Sequence, residues 1–313
     1  SADLVEEIVR IVGIDNVPST PLPSPAGVAR PVLTELQRRI RRARRTLAVR
    51  GLVEAVTYSY ISKREAELFG GDIDELELAN PISVEMSSMR PSLLPGLLAA
   101  ARRNANRGIV DVALFELGQA YRGTKPEDQY VSASGVRTST ARATGTGRHW
   151  SGNGARVDLF DAKADALAVL EALGIDGTKV QVTRDAPAYY HPGRSGTLRM
   201  GPKMVLAQFG ELHPRTLSTL DMDAPVVAFE VFLGNLPPEK RISRARPQLE
   251  DSDLMALTRD FAFVLDRGVA AADVVRAAQC ADKTLNRNVS VIDMFEGGKL
   301  AKLRKEYGLA QMN

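Results

Sequence analysis

The sequence predicts an α/β (α+β) fold, and three observations support this prediction. Residues 32–50 and 158–174 carry apolar side chains at the three- and four-residue spacing of amphipathic helices. Residues 110–121 and 224–233 have the short, apolar-rich pattern of strands. Between residues 80 and 122, a predicted helix is followed directly by a predicted strand. A chain of 313 residues with these elements is long enough to bury a sizeable core.

The composition indicates a cytoplasmic globular protein. The single cysteine, Cys280, cannot form an internal disulfide. No apolar run is long enough to cross a bilayer, and the first residues do not form a signal peptide. The formal charge of +3 does not by itself imply nucleic-acid binding, so the placement of the arginines matters more than their number.

Two segments rich in proline, serine or charge, residues 15–31 and 237–253, read as linkers and divide the chain. We therefore predict three parts. Residues 1–25 form the end of a small helical domain with its linker, residues 30–236 a core domain, and residues 254–313 part of a last domain. The chain begins without methionine inside a helical pattern and ends without a clear terminal element, so we expect a fragment.

The first predicted helix, residues 3–13, carries three acids within one turn. Asp3, Glu6 and Glu7 are spaced at i, i+3 and i+4. Such carboxylates suit Mg²⁺, which prefers a few carboxylates plus waters. Alternatively, acids in a first turn stabilise the positive end of the helix dipole.

Residues 32–50 form the clearest predicted helix, and arginines cover most of its polar faces. The apolar face is Leu33, Leu36, Ile40, Ala43 and Leu47. The remaining faces carry Arg38, Arg39, Arg41, Arg42, Arg44 and Arg45. One interpretation is a surface for RNA phosphates, and the other is a solvated face whose arginine stems cover apolar surface. No aromatic residue is interleaved to stack on a base.

The segment from residue 80 to 122 contains the most demanding local pattern. Pro95 is placed in the first turn of a helix, where its missing N–H has no intrahelical role. Glu116 lies inside the apolar run of the strand that follows. The helix carries Leu97, Leu98 and Ala101 inward, and Arg102, Arg103 and Arg107 outward.

Two later motifs invite a catalytic interpretation. In the helix 158–174 we predict that Phe160, Ala164, Leu167, Leu170 and Leu173 face inward. The charged residues Asp161, Lys163 and Asp165 are then predicted to be solvated. Further on, YHPGRSG and FGELHP place His191, Arg194, Glu211 and His213 at predicted turns. There a general base and an anion anchor are one interpretation, and ordinary turn residues are the other.

After the second linker, residues 257–296 predict strand, helix and strand. The predicted strands are residues 261–265 and 289–295, and the helix between them spans residues 270–281.

Several motifs in order, MRPSLLPGLL, NRG and LFELGQAY, closely resemble the beta subunit of bacterial phenylalanyl-tRNA synthetase. DLVEEIVRIVGIDNVP, YHPGRSG and FGELHP resemble the same family. The resemblance implies a class II aminoacyl-tRNA synthetase-like antiparallel sheet flanked by helices in residues 30–236. It also implies a partial ferredoxin-like anticodon-binding domain in residues 254–313. The last residues, GGKLAKLRKEYGLAQMN, depart from the family pattern and are too short to complete that domain.

The resemblance also implies roles for particular residues. Asp3, Glu6 and Glu7 match the acids that bind Mg²⁺ at the contact with the alpha subunit. Arg38, Arg41, Arg42 and Arg45 become candidates for tRNA contact or for a subunit interface. His191, Arg194, Glu211 and His213 are expected to be structural. The implied partners are tRNA-Phe and an alpha subunit that binds ATP, in a heterotetramer of two alpha and two beta subunits.

The sequence lacks the residues that activate an amino acid in class II synthetases. The strand LFELGQAYR has no arginine between Phe115 and Glu116, and no GxGxxxER-like string occurs. We therefore expect no ATP site and no catalytic residue in this chain. Its expected role is that of a non-catalytic subunit of the ligase. The alternatives are an autonomous ATP-dependent ligase using His191, Arg194 and Arg148, or an RNA-binding module without a synthetase partner.

Overall fold

The structure is a computed structural model. It describes residues 1–23, 32–71, 73–143, 145, 148–150, 152–223, 225–238, 255–266, 268–282 and 285–294. The chain divides into two compact units, Ser1–Ile242 and Ser243–Asn313. The linker residues 24–31 and 239–254, and the last predicted residues 295–313, lie outside the described part.

The first unit contains six of the α-helices described below and all of the described strands. The helices are α1 (Ala2–Val12), α2 (Glu35–Val49), α3 (Lys63–Leu68), α4 (Leu94–Ala105), α5 (Leu159–Ala172), α6 (Pro214–Thr219) and, in the second unit, α7 (Ala271–Ala281). The strands are β1 (Val53–Glu54), β2 (Tyr60–Ile61), β3 (Ser88–Met89), β4 (Ala113–Tyr121), β5 (Gln129–Thr138), β6 (Arg148–His149), β7 (Gly152–Asn153), β8 (Gln181–Thr183), β9 (Tyr190–Met200), β10 (Met204–Leu212) and β11 (Val226–Phe232).

Local sequence accounts for where the long helices begin. Thr34 accepts from the backbone N–H of Gln37 while the Gln37 side chain accepts from the Thr34 N–H, which caps α2 at both donors. Asp158 and Asp161 form the same reciprocal arrangement at the start of α5. Helix α4 has Pro95 in its first turn, as predicted.

A seven-stranded sheet forms the centre of the first unit, in the order β1-β4-β5-β11-β10-β9-β8. β1 runs parallel to β4, and every other neighbouring pair is antiparallel. The mixed α/β class with a mainly antiparallel sheet flanked by helices is therefore confirmed. The ten-residue β5 lies between β4 and β11, and most of its side chains are small and buried there.

Helices cover the two faces of the sheet separately. On one face, α2 and α5 pack on apolar side chains that include Phe115, Phe209 and Phe229. On the other face, α4 and α6 contribute to a second cluster, in which Leu97 and Leu217 meet Val136, Ala228 and Leu212. Because side chains alternate along a strand, each of the five inner strands β4, β5, β11, β10 and β9 supplies both clusters.

The predicted inward face of α5 is wrong by part of a turn. Phe160 is 63% exposed, whereas Asp165 is completely buried with Ala162, Ala166 and Val169. Asp165 was predicted to be solvated. It is buried because two arginines, one from the sheet and one after α2, reach it there.

The second unit confirms the predicted helix but not the predicted strands. Residues 255–266 and the described residues 285–294 have no regular secondary structure, and their large apolar side chains are mostly exposed. A strand needs a hydrogen-bonded neighbour, and the described part of this unit provides none. The partial ferredoxin-like domain is therefore not confirmed.

Candidate functional site

Helix α2 carries both structural and surface arginines. Arg39 is buried and donates to the carbonyl oxygens of Leu233 at 2.9 Å and Leu236 at 3.1 Å. It also pairs with Glu35 one turn earlier. The prediction that Arg39 lies on an outer face is therefore wrong, because its guanidinium satisfies carbonyl groups at the end of the sheet domain.

Arg38, Arg41, Arg42 and Arg45 follow one another along one face of α2, and Arg41, Arg42 and Arg45 are exposed. Arg38 donates to the carbonyl oxygen of Leu33 at 2.9 Å. On a neighbouring face, Arg44 is paired with Glu54 at 2.7 Å. The stripe thus places positive charge in solvent on the outside of the unit.

Helix α1 exposes both its acidic and its apolar face. None of its residues is buried, and Ile11 is 83% exposed. Asp3, Glu6 and Glu7 are all exposed, and Glu7 accepts from Arg10 at 2.6 Å. Among the residues that the structure describes, no group of three or more His, Cys, Asp or Glu side chains is arranged to hold a metal ion.

An exposed apolar strip follows β1. Val56 is 90% exposed and Tyr58 is 72% exposed, whereas Thr57 between them points inward. Ile82 and Val84, in the loop before β3, are also largely exposed. Several large apolar side chains that are this exposed indicate a candidate protein interaction site.

A buried ion pair supports this strip. Glu116 accepts from Arg90 at 2.8 Å and from the Thr57 hydroxyl at 2.7 Å. Arg90 also donates to the carbonyl oxygen of Gln119 at 2.9 Å. A Cβ at Gly96 of α4 would lie 2.2 Å from the Thr57 hydroxyl oxygen, so only glycine fits there. The guanidinium of Arg90 is therefore used to join the loop before α4, the strip and β4.

Polar side chains form a row across the face of the sheet that holds Glu116. Directly paired residues point to the same side of a sheet. The register pairs Glu116 with Ser134, Ser134 with Glu230, Glu230 with Gln208 and Gln208 with Thr197. The row thus crosses five strands, and Gln208 is its one member with substantial exposure.

Glu230, in the middle of this row, is buried among hydroxyl groups. It accepts from Ser92 at 2.6 Å and from Tyr189 at 2.7 Å. Burial raises the pKa of Glu230, and the two hydroxyl donors oppose that rise. Burial and the Glu230 charge raise the pKa of Tyr190. Within the described residues, the hydroxyl oxygens of Tyr190 and Thr197 have no hydrogen-bond partner.

The motifs YHPGRSG and FGELHP meet at one end of the β9–β10 ribbon. The predicted turn at His191–Arg194 is wrong, because these residues lie inside β9. Arg194 pairs with Glu211 at 2.5 Å, and the rings of His191 and His213 are stacked. The structure therefore brings all four residues together. The side chain of Arg148, named in the autonomous-ligase alternative, lies outside the described part.

Comparison with known families decides the identity of this arrangement. A family model described as the phenylalanyl tRNA synthetase beta chain CLM domain matches residues 18–233. This range includes the whole seven-stranded sheet and both ends of its polar row. The chain belongs to this family.

Relatives of this beta chain family cover almost the entire sequence. The chain is 55% identical, over 99% of its length, to a phenylalanine–tRNA ligase beta subunit of Rhodopseudomonas palustris. It is 53% identical, again over 99%, to the same subunit of Bradyrhizobium diazoefficiens. It spans 39% and 38% of these two relatives. The predicted family membership is confirmed.

A solved structure of lower similarity is a pyrrolysyl tRNA synthetase of Desulfitobacterium hafniense. The TM-score is 0.48 at 18% identity, covering 63% of this chain and 66% of that one.

Sequence reasoning missed two charged groups in this phenylalanyl-tRNA synthetase beta chain domain. Asp165 accepts from Arg137 at 2.6 Å and from Arg50 at 2.5 Å. Glu230 follows Phe229 in β11 as Glu116 follows Phe115 in β4. A glutamate after phenylalanine inside an apolar strand is thus the signal that the two positions share, and only Glu116 was singled out from it.

No α-helix in the described part of the chain is long and apolar enough to cross a membrane.

Proposed function

We propose that this chain is the core portion of a phenylalanine–tRNA ligase beta subunit, which supports an active site on the alpha subunit. The ligase attaches phenylalanine to tRNA-Phe with ATP, and this part of it is non-catalytic and cytoplasmic. The observation that carries the proposal is the family match over residues 18–233. Residues 30–236 are then a class II synthetase-like core, and residues 254–313 are part of an anticodon-binding domain.

The polar face of the sheet supports a non-catalytic role. Activation of an amino acid builds negative charge on phosphate, so cations must point at the reacting phosphate. Here Arg90 is buried and bonded to Glu116 and to carbonyl oxygens. At the centre of the same face, Glu230 accepts its hydrogen bonds from hydroxyls rather than from cations. A triphosphate placed there would meet buried carboxyl groups.

The exposed strip of Val56 and Tyr58, with Ile82 and Val84, is our candidate surface for the alpha subunit. Aromatic and aliphatic side chains of this kind form the centre of protein interfaces. The Arg90–Glu116–Thr57 contacts fix the backbone beneath the strip, so that it is preorganised for binding. Two copies of each subunit would then form the heterotetramer.

We assign the arginine stripe of α2 to tRNA phosphates, with Arg38, Arg41, Arg42 and Arg45 as the contributing residues. An exposed arginine row without aromatic residues suits the backbone of RNA rather than its bases. A subunit interface is the other role that this face fits.

We also propose that Asp3, Glu6 and Glu7 contribute carboxylate ligands to Mg²⁺ at the alpha-subunit contact. All three are exposed on α1, and their oxygen ligands match the preference of this ion. Glu7 would have to leave Arg10. Mg²⁺ would supply positive charge that holds acids of both subunits together.

Co-purification with a phenylalanyl-tRNA synthetase alpha chain, followed by aminoacylation of tRNA-Phe, tests the proposal. In the complete beta subunit, we expect Tyr58→Asp to abolish co-purification, since it places a charge in an apolar interface. The control is Val182→Asp, at the opposite edge of the sheet. Equal retention of the alpha chain by both variants would contradict the interface.

The tRNA assignment has a separate test. Arg41→Glu combined with Arg45→Glu should weaken tRNA-Phe binding at least tenfold and reduce its salt dependence. The control is Arg103→Glu combined with Arg107→Glu, at the end of α4 and just after it. ATP binding together with adenylate formation by the beta chain alone, both lost in Arg194→Ala, would instead favour the autonomous ligase.

A further inference from the structure

Two histidines at one end of the β9–β10 ribbon form a pair that the proposed function does not use. His191 lies at the start of β9 and His213 directly follows β10. Their ring centroids are 6.2 Å apart, and the ring planes differ by 25°. Both residues are only half-buried, so their outer ring atoms are accessible. The pair stays together because the backbone N–H of His213 donates to the carbonyl oxygen of Tyr189 at 2.8 Å.

Backbone hydrogen bonds fix the protonation site on both rings. The Gly193 N–H donates to Nδ1 of His191 at 3.1 Å. The Arg215 N–H donates to Nδ1 of His213, also at 3.1 Å. A ring nitrogen that accepts a hydrogen bond carries no proton, so the proton of each neutral imidazole is on Nε2. Both rings therefore present an Nε2–H donor, and the described residues supply no acceptor for either.

This tautomer favours an anion over a metal ion. A metal would need a bare Nε2, which requires a proton on Nδ1 and excludes both backbone donors. The nearby carboxylate of Glu211 does not make the cluster negative, because Arg194 pairs with it at 2.5 Å and balances its charge. Arg215 is exposed and adds a positive charge beside His213. The cluster therefore combines two neutral N–H donors with a net positive charge.

We propose that His191 and His213 together bind one phosphate group through their Nε2–H donors, with the exposed Arg215 as its cationic neighbour. The ring centroids lie 6.2 Å apart and each N–H···O bond spans about 2.9 Å, so two oxygens of one phosphate can reach both rings. The phosphate belongs either to a free anion or nucleotide, or to an RNA backbone. This inference is independent of the proposed function, since it uses neither the α2 stripe nor the strip after β1.

The test is a titration of the isotopically labelled full chain, followed by imidazole nitrogen NMR. Without ligand, we expect both rings to show the Nε2–H tautomer. Inorganic phosphate, adenosine monophosphate and tRNA are then added in separate arms. Saturable shifts of both rings with the small anions assign the site to free phosphate or nucleotide, and shifts with tRNA alone assign it to RNA. An Nδ1–H tautomer on either ring, or no saturable shift in any arm, overturns the proposal.

Matched variants separate binding from folding. His191→Asn and His213→Asn keep a side-chain oxygen that accepts from the backbone N–H two residues on, but they lack the Nε2 donor. We expect each to keep its thermal transition and to bind the phosphate-bearing ligand about tenfold more weakly. His191→Gln and His213→Gln place an amide donor near the Nε2 position and should restore part of the affinity. Unchanged affinity in the Asn variants overturns the proposal.

Discussion

Asp165 and Glu230 are buried on opposite faces of the sheet, and different groups compensate their burial. Under α2 and α5, Asp165 is completely buried and receives two guanidinium groups, from Arg137 and Arg50. Under the polar face, Glu230 is equally buried but receives only the hydroxyls of Ser92 and Tyr189. Burial raises the pKa of Glu230. Asp165 is thus compensated by two paired cations, whereas Glu230 is compensated mainly by two neutral donors.

The comparison teaches that burial alone does not determine the state of a carboxyl group. A cation beside a buried acid favours the charged form, whereas burial without a cation favours the protonated form. Glu116, on the same face as Glu230, resembles Asp165 in its paired cation, since Arg90 lies at 2.8 Å from it. Breaking these contacts one at a time should therefore give effects of different size and different pH dependence.

The largest effect is expected at Asp165. Asp165→Ala leaves the buried guanidinium of Arg137 without its carboxylate, so the free energy of unfolding should fall by about 3–5 kcal/mol. Urea denaturation followed by circular dichroism measures this change. Glu171→Ala, an exposed position on the same helix, is the control and should change stability by less than about 0.5 kcal/mol. Similar losses in the two variants would show that the ion pairs of Asp165 contribute nothing.

A somewhat smaller loss is expected on the other face. Arg90→Ala removes the cation beside buried Glu116 but leaves the Thr57 hydroxyl, so stability should fall by about 3 kcal/mol. Adding Glu116→Gln to Arg90→Ala removes the unpaired charge and should recover part of the loss. Urea denaturation of both variants measures these changes, with the exposed Arg103→Ala as the control. A double variant that is no more stable than Arg90→Ala would refute the ion-pair explanation.

The smallest effect, and the one with a pH signature, concerns Glu230. Its folded pKa is raised, so its contribution to stability is complete below the unfolded pKa of a glutamate and is lost as pH rises through the folded value. Glu230→Gln cannot ionise, and its free energy of unfolding should therefore change less across that pH range than that of the parent chain. Denaturation midpoints in a series of buffers test this. Parallel pH curves for the two proteins would contradict the assignment.

Much of the fold was predictable because local sequence determines it. The apolar spacing of residues 32–50 and the cap at Thr34 specify α2. The motifs around Pro95 and Phe115 specify α4 and β4. Their resemblance to a known family also predicted the family membership. The positions of the arginine stripe and of the acids on α1 also follow from helical spacing, while their binding roles remain predictions.

What the sequence did not reveal depends on distant partners. Asp165 is buried because Arg137 and Arg50 reach it, and they lie 28 and 115 residues away along the chain. Arg39 is buried because carbonyl groups 194 and 197 residues away accept from it. Neither contact leaves a trace in the periodicity of α5 or α2. The tautomers of His191 and His213 likewise depend on backbone geometry that no spacing rule supplies.

The position of Glu116 has one further consequence, for the alignment of β4 during folding. Side chains alternate between the two sides of a strand, so a slip of one residue against β5 would turn Glu116 towards Phe229 and the apolar side chains under α5. It would lie there as an unpaired charge, far costlier than any apolar mismatch. A single acid within an apolar run therefore selects one pairing register of the strand, because the registers shifted by one residue would bury its unpaired charge.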